Sequence, residues 1–183
     1  MLFKDFIRRG ESYSLTFQDL KSICRNDVHI IEFHTLDHMS NWQELFKYTP
    51  NVIIYWETES SSIGHFSALM LRDGGSTIEF FDSYGLSVKD CFKFARYDYR
   101  YSGGVNYLEM ILSQSGKKIV TNYVKLQSDS SHINTCGRHA AMRLRFASMS
   151  SSDYVNFLKS SRANFDELVT IMTVMSSSFN VLR

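Results

Sequence analysis

The chain reads as an α+β protein. Strand-like segments cluster in its middle, helical patterns lie at both ends, and no regular βαβ alternation links them. At 183 residues it is long enough to bury a real core as one domain, taken as 1–183. Hydrophobic residues make up 44% of it and proline occurs once, which excludes a disordered chain.

Each element has a local reason. Thr16-x-x-Asp19 is a capping box that opens a short helix through Ile23. His29 to Phe33 is strand-like, and Ser40, with Gln43 three residues on, predicts a helix over 41–47. Asn51 to Trp56 (NVIIYW) is a nearly unbroken apolar run of strand length, as expected of a buried central strand. His65 to Leu71 and Thr77 to Asp82 form two more strands joined by Arg72-Asp73-Gly74-Gly75-Ser76. Residues 86–95 and 105–114 are helix candidates, and Lys118 to Leu126 alternates like a strand. A helix is expected from Cys136 to about Ala147, another over 153–159 capped by Ser152, and a last one over 165–175 capped by Asn164. Met172 and Met175 in that last helix read as core.

Composition narrows the function classes. No apolar run approaches the roughly 20 residues of a membrane span, and the N-terminus lacks a secretory h-region, so the chain reads as soluble and intracellular, with no membrane partner. Cys24, Cys91 and Cys136 are an odd set without CxxC, which argues against a disulfide scaffold or structural zinc. A net charge of +1 implies no nucleic-acid partner by itself.

Chemistry concentrates around the hairpin and Cys136. With Asp73-Gly74 as a two-residue turn, His65 lies directly opposite Asp82, their β-carbons roughly 5 Å apart. With Gly74-Gly75 as the turn, Asp82 falls opposite Ser67 but keeps the same face as His65. An imidazole held by a carboxylate keeps one tautomer and gains basicity, as a general base requires. Cys136 opens a helix, where unpaired N–H groups and the helix dipole favour a thiolate, and Gly137 leaves room for a substrate backbone beside the sulfur. His65, Asp82 and Cys136 therefore make a nucleophilic unit: Cys136 attacks, His65 moves the proton, Asp82 orients His65. The Cys136 N–H and Gln127, which ends the strand leading into the Cys136 loop, are placed as oxyanion donors.

Gly64-His65-Phe66, Phe81-Asp82-Ser83-Tyr84-Gly85, Leu126-Gln127 and Thr135-Cys136-Gly137-Arg138, taken together, resemble the adenain-type cysteine proteases. These include adenovirus-like maturation proteases, relatives in large DNA viruses, virophages and Polinton-type elements, and, more distantly, the SUMO-specific proteases. Thr135 to His139, with the downstream Asp153-Tyr154-x-x-Phe157-Leu158, is most similar to the virophage and large-DNA-virus branch. The resemblance runs from about residue 50 to 160. It implies a mixed central β-sheet flanked by helices, in a papain-like or adenain-like fold with the nucleophile at the N-terminus of a central helix. It assigns His65 as base, Asp82 as orienter, Cys136 as nucleophile and Gln127 as oxyanion donor, with no cofactor and no metal. It also implies an endopeptidase that processes capsid precursors at glycine-containing sites, in the virion or inside the host cell (a cytoplasmic factory or the nucleus). Some such enzymes are stimulated by DNA or a peptide, which makes either a candidate activator. Two departures stand out: Phe66 replaces a frequent Trp, and Ser128 to Thr135 lengthen the Gln-to-Cys interval, expected to bulge outward as a loop.

Taken singly, these residues have ordinary explanations: a buried structural thiol, a satisfied histidine, a turn. Their order and geometry together favour the triad. His132, Cys136 and His139 miss the common zinc spacings. His29, His34 and His38 read as exposed or polar-satisfied, and Cys24 and Cys91 as inert. Phe92 to Tyr101 interleaves aromatic and basic residues, which suits a partly buried strand or a cleft wall better than single-stranded nucleic acid at this low charge. The same triad would serve removal of ubiquitin-like modifiers or acyl transfer, and an inactive scaffold would require the dyad geometry to fail.

Overall fold

The structure, a computed structural model, describes residues 3–58, 64–101 and 103–176, apart from the side chains of Tyr99 and Tyr101. The fold is α+β. Five strands form one mixed sheet in chain order: β1 (His29–Glu32), β2 (Asn51–Glu57), β3 (Gly64–Arg72), β4 (Thr77–Phe81) and β5 (Lys118–Thr121). The middle pairs β2–β3 and β3–β4 are antiparallel, while the outer pairs β1–β2 and β4–β5 are parallel.

Alternate strand residues serve two cores on opposite faces of the sheet. Ile53, Phe66, Ala68, Met70 and Phe81 pack on one face against α2 (Phe17–Ile23), α6 (Cys136–Arg145), α7 (Ser151–Ser160) and α8 (Phe165–Ser176). Val52, Ile54, Trp56, Leu69, Ile78 and Phe80 pack on the other. There they meet 3₁₀ residues Phe33 and Leu36, Cys91 of α3 (Val88–Cys91), and Leu108 and Leu112 of α5 (Tyr107–Ser113). A strand covered on both sides needs apolar residues in succession, which is why NVIIYW has no polar alternation. The described elements also include α1 (Phe3–Ser12) and α4 (Tyr97–Tyr101).

Several elements differ from expectation, each for a visible reason. The β3–β4 register pairs Arg72 with Thr77 and Ala68 with Phe81, so the Asp73-Gly74 two-residue turn does not form. Asp73, Gly74 and Gly75 all take positive φ, widening the connection to a 3₁₀ turn. This register places Asp82 level with Ser67, as the Gly74-Gly75 alternative has it, and parity keeps it on the face of His65.

The helix expected over 41–47 shrinks to a 3₁₀ turn, Trp42–Glu44, capped by Asn41. The 86–95 helix breaks after Cys91 into a 3₁₀ turn. Strand β5 stops at Thr121, because the Asn122 side chain turns to backbone partners and Tyr123 adopts φ 45°. Helix α7 starts two residues early, with Ser150 rather than Ser152 receiving the Asp153 N–H. The capping box at Thr16 and Asp19 forms in both directions. Met172 packs against the core, whereas Met175 is exposed. Among the described residues no helix is long and apolar enough to cross a membrane.

Candidate active site

His65 begins the buried part of β3 and Asp82 follows the last residue of β4, so the hairpin delivers both to one face. The ring Nε2 of His65 is hydrogen-bonded to Asp82 Oδ2. Asp82 is wholly buried, and its other oxygen accepts the backbone N–H groups of Tyr84 (2.9 Å) and Leu86 (3.3 Å). Asn122, just past the end of β5, fixes the Asp82 backbone: Oδ1 accepts its N–H at 3.1 Å and Nδ2 donates to its carbonyl at 2.9 Å. Gly85 closes the turn with φ 72°, where a β-carbon would come within 2.7–2.9 Å of the Val124 and Lys125 backbone. That contact explains the glycine ending Asp82-Ser83-Tyr84-Gly85.

Burial opposes a charge on His65, yet the Asp82 carboxylate raises its pKa well above the ordinary imidazole value. Hydrogen bonds to the thiols of Cys136 and Cys91 act in the same direction. Phe94 packs on the ring with centroids 4.2 Å apart, and Tyr84 stacks at 5.5 Å. Phe94 gives the aromatic and basic segment 92–101 a role as a wall beside His65. The Tyr99 and Tyr101 side chains lie outside the described residues.

Cys136 is the first residue of α6 and is half-buried. Asn134 anchors the approach to it, its N–H donating to the Glu11 carbonyl (2.7 Å) and its Nδ2 to the Ser12 carbonyl (2.9 Å). Thr135 makes no side-chain cap to α6, leaving the helix start open toward the sulfur. Gly137 lets the helix approach its neighbours, because a β-carbon would sit 3.2 Å from Phe66 and 3.4 Å from Leu20. Gln127 is buried. Its N–H donates to the Ser83 carbonyl at 2.9 Å and its Oε1 accepts the Ser83 hydroxyl at 2.7 Å, while Nε2 makes only a long contact of 3.4 Å to the Ile133 carbonyl. Ser83 thus orients the Gln127 amide.

A cavity of about 340 Å³ opens beside the sulfur, lined by Leu15, Phe17, Tyr55, Phe66, Asn134 and Cys136 among others. Phe17 meets Tyr55 edge-on at 5.2 Å, and Tyr55 packs on Phe66 at 4.9 Å. Gly64 permits this, since a β-carbon there would collide with the Tyr55 ring at 2.0 Å. The N-terminal segment 14–17 therefore forms one wall, a role no local motif announced.

Cys91, read from the sequence as inert, lies beside the dyad. Burial pushes its thiol up to about 12, despite its hydrogen bond to His65, and burial likewise puts Cys24 at about 12. It is unreactive but adjacent to the dyad. Among the described residues, two groups hold ligating atoms within 4.8 Å of one another: His65, Asp82 and Cys91, and Glu32, His34 and Glu57. In the first, both Asp82 oxygens are already engaged, and in the second His34 Nδ1 lies 2.5 Å from Glu57. His29 Nδ1 contacts the Leu45 carbonyl at 3.1 Å. His139 points its Nε2 at Asp166, away from any set with Cys136 and His132.

No family model matches the chain. It is 27% identical over 168 residues to the uncharacterized protein V9 of Sputnik virophage, covering 80% of this chain and 95% of V9. Among solved structures it is similar to the C-terminal Ulp1 protease domain in complex with Smt3, the yeast ortholog of SUMO. That likeness has a TM-score of 0.40 and 12% identity, over 94% of this chain and 82% of Ulp1. ChlaDub1 of Chlamydia trachomatis gives a TM-score of 0.38 and 11% identity, over 94% of this chain and 75% of that one.

Proposed function

We propose that the protein is a cysteine endopeptidase in which Cys136 attacks a peptide carbonyl, His65 carries the proton and Asp82 orients and charges His65. The observation that supports this most is the buried His65 ring, bonded to the Asp82 carboxylate through Nε2 and near enough to the thiol that opens α6 for that thiol to raise its pKa. In the first step the Cys136 sulfur bonds to the carbonyl carbon, whose oxygen takes the negative charge. The Cys136 N–H and Gln127 Nε2 receive that charge. Collapse of the intermediate expels the amine, which takes its proton from His65, and water then hydrolyses the thioester with His65 as base.

The aromatic-walled cavity beside the sulfur suits a substrate with little side chain at the scissile bond, in line with glycine-containing sites. The similarity to a virophage protein supports a viral setting; capsid precursors as substrates, and the virion or infected cell as the place of action, follow from the resemblance to the adenain-type proteases. The test is incubation with capsid precursors and, separately, with ubiquitin-like conjugates. New termini next to glycine in the precursors support the endopeptidase. Release of the modifier alone would replace it with a deconjugase, and acyl transfer without cleavage with an acyltransferase.

Two further results are expected. Iodoacetamide at neutral pH should label Cys136 and leave Cys24 and Cys91 untouched, because thiols held near 12 carry on the order of 10⁻⁵ thiolate at pH 7. Equal labelling of all three by peptide mapping would remove Cys136 as the activated thiol. Asp82→Asn should also shift the pH profile. His65 keeps its proton as pH rises through 6.5 and loses it only above its raised value, so the alkaline limb of acyl transfer lies well above 6.5. Removing the charge that raises it should bring that limb down by about 1–2 pH units. A limb that stays in place in kcat/KM against pH would mean that Asp82 does not control His65.

A further inference from the structure

The interval from Gln127 to Cys136 does not simply bulge. Asp129 to His132 are exposed, but both ends are pinned to one side chain in the first turn of α8. Asp166 is wholly buried. Its Oδ2 accepts the backbone N–H (3.0 Å) and the hydroxyl (2.8 Å) of Ser128, the residue after Gln127. Its Oδ1 accepts the hydroxyl of Thr135, the residue before Cys136, and His139 Nε2 at 3.1 Å, one turn into α6.

A buried carboxylate persists only if its lone pairs are filled. Burial pushes the Asp166 carboxyl up, and the bonds from His139, Thr135 and Ser128 outweigh that, holding it below the usual carboxylate range. The group is therefore an acceptor on every side, and each donor comes from the loop ends or the nucleophile helix.

We propose that Asp166 is a positioning residue: by joining Ser128 to Thr135 and His139, it sets where the Gln127 amide lies relative to the Cys136 sulfur. This rests on the reading of Cys136 and Gln127 given above. In a shorter connection the chain itself would fix that separation. Here a single carboxylate does so across a loop whose tip is free to vary.

Two reagents separate this role from mere support of the fold. Iodoacetamide alkylates sulfur by displacing iodide and builds no oxyanion. p-Nitrophenyl acetate acylates it through a tetrahedral oxyanion that collapses with loss of nitrophenolate. In Asp166→Asn, which keeps the shape but presents N–H groups to existing donors, kcat on p-nitrophenyl acetate should fall about 10- to 100-fold. KM should change less than about threefold, and alkylation of Cys136 should stay within about twofold. Gln127→Ala should add little further loss in that background. Thr135→Val, which removes one donor and keeps the carboxylate, should show the same split at smaller size if Asp166→Asn folds poorly.

Wild-type turnover in both variants would overturn the proposal, as would equal losses of alkylation and acylation, the mark of a disordered helix start. A wild-type Cys136 that neither acylates nor alkylates would overturn the proposed function itself, and the positioning role with it.

Discussion

With Cys136 as the proposed nucleophile, its replacement with alanine is expected to lower cleavage of a protein substrate about 10⁴- to 10⁶-fold, the loss seen when a nucleophile is removed from a triad. That range corresponds to roughly 5–8 kcal/mol of transition-state stabilisation at 1.36 kcal/mol per decade. The fold should survive, because the sulfur is half-buried at a helix start, at the border between a cavity and the core, and its loss removes a single atom there. His65 would remain paired with Asp82, so its near-surface aromatic neighbours should stay in place. Matched thermal melts of the two proteins and a cleavage time course check both halves. Cleavage that persists in Cys136→Ala at a comparable rate would move the chemistry elsewhere.

Arg143→Met should be the most destabilising single change away from the site, by about 3–5 kcal/mol in urea unfolding. Arg143 is wholly buried on α6, and its guanidinium forks onto Glu79 of β4, with Nε to Oε1 at 2.8 Å and Nη2 to Oε2 at 3.0 Å. It also donates to the carbonyls of Phe146 and Met149, ending the helix, and lies over the Tyr154 ring. Methionine keeps the stem but removes the bidentate partner of Glu79, leaving it Arg72 alone at 3.3 Å. Against a total stability of about 5–15 kcal/mol, that loss is a large share. Adding Glu79→Leu should recover part of it, since a buried carboxylate that has lost its bidentate partner costs more than a missing pair. A double variant weaker than the single one would contradict this assignment.

What could be read from the chain depended on how far apart the cooperating residues lie. Thr16 with Asp19, and Asn164 ahead of α8, are caps written within a few residues, and both form. The shared face of His65 and Asp82 followed from parity alone and survived a register displaced by two positions. The displacement came from three consecutive residues with positive φ, a conformation two glycines allow without requiring. Lys118 to Leu126 has the alternation of a strand, yet Asn122 ends it by bonding the Asp82 backbone 40 positions away. A lone Asn in an alternating segment is the signal that could have flagged this. Asp166 and His139 carry no local signature at all, because their meaning arises only once α8 docks against α6. Cys91 was legible as an inert thiol, but its position beside His65 arises only once α3 packs on the sheet.

The docking of α8 also has a consequence in time. Asp166 is made 31 positions after Thr135, and the Arg138 guanidinium, one turn into α6, donates both to Gly10 of α1 and to Thr173 of α8. A ribosome delivers the thiol, the histidine and the aspartate well before the carboxylate that seats the loop beside them. A nascent chain holding the three proposed reacting groups would thus still lack the geometry that Asp166 gives the loop, and maturity of the candidate site would coincide with completion of α8.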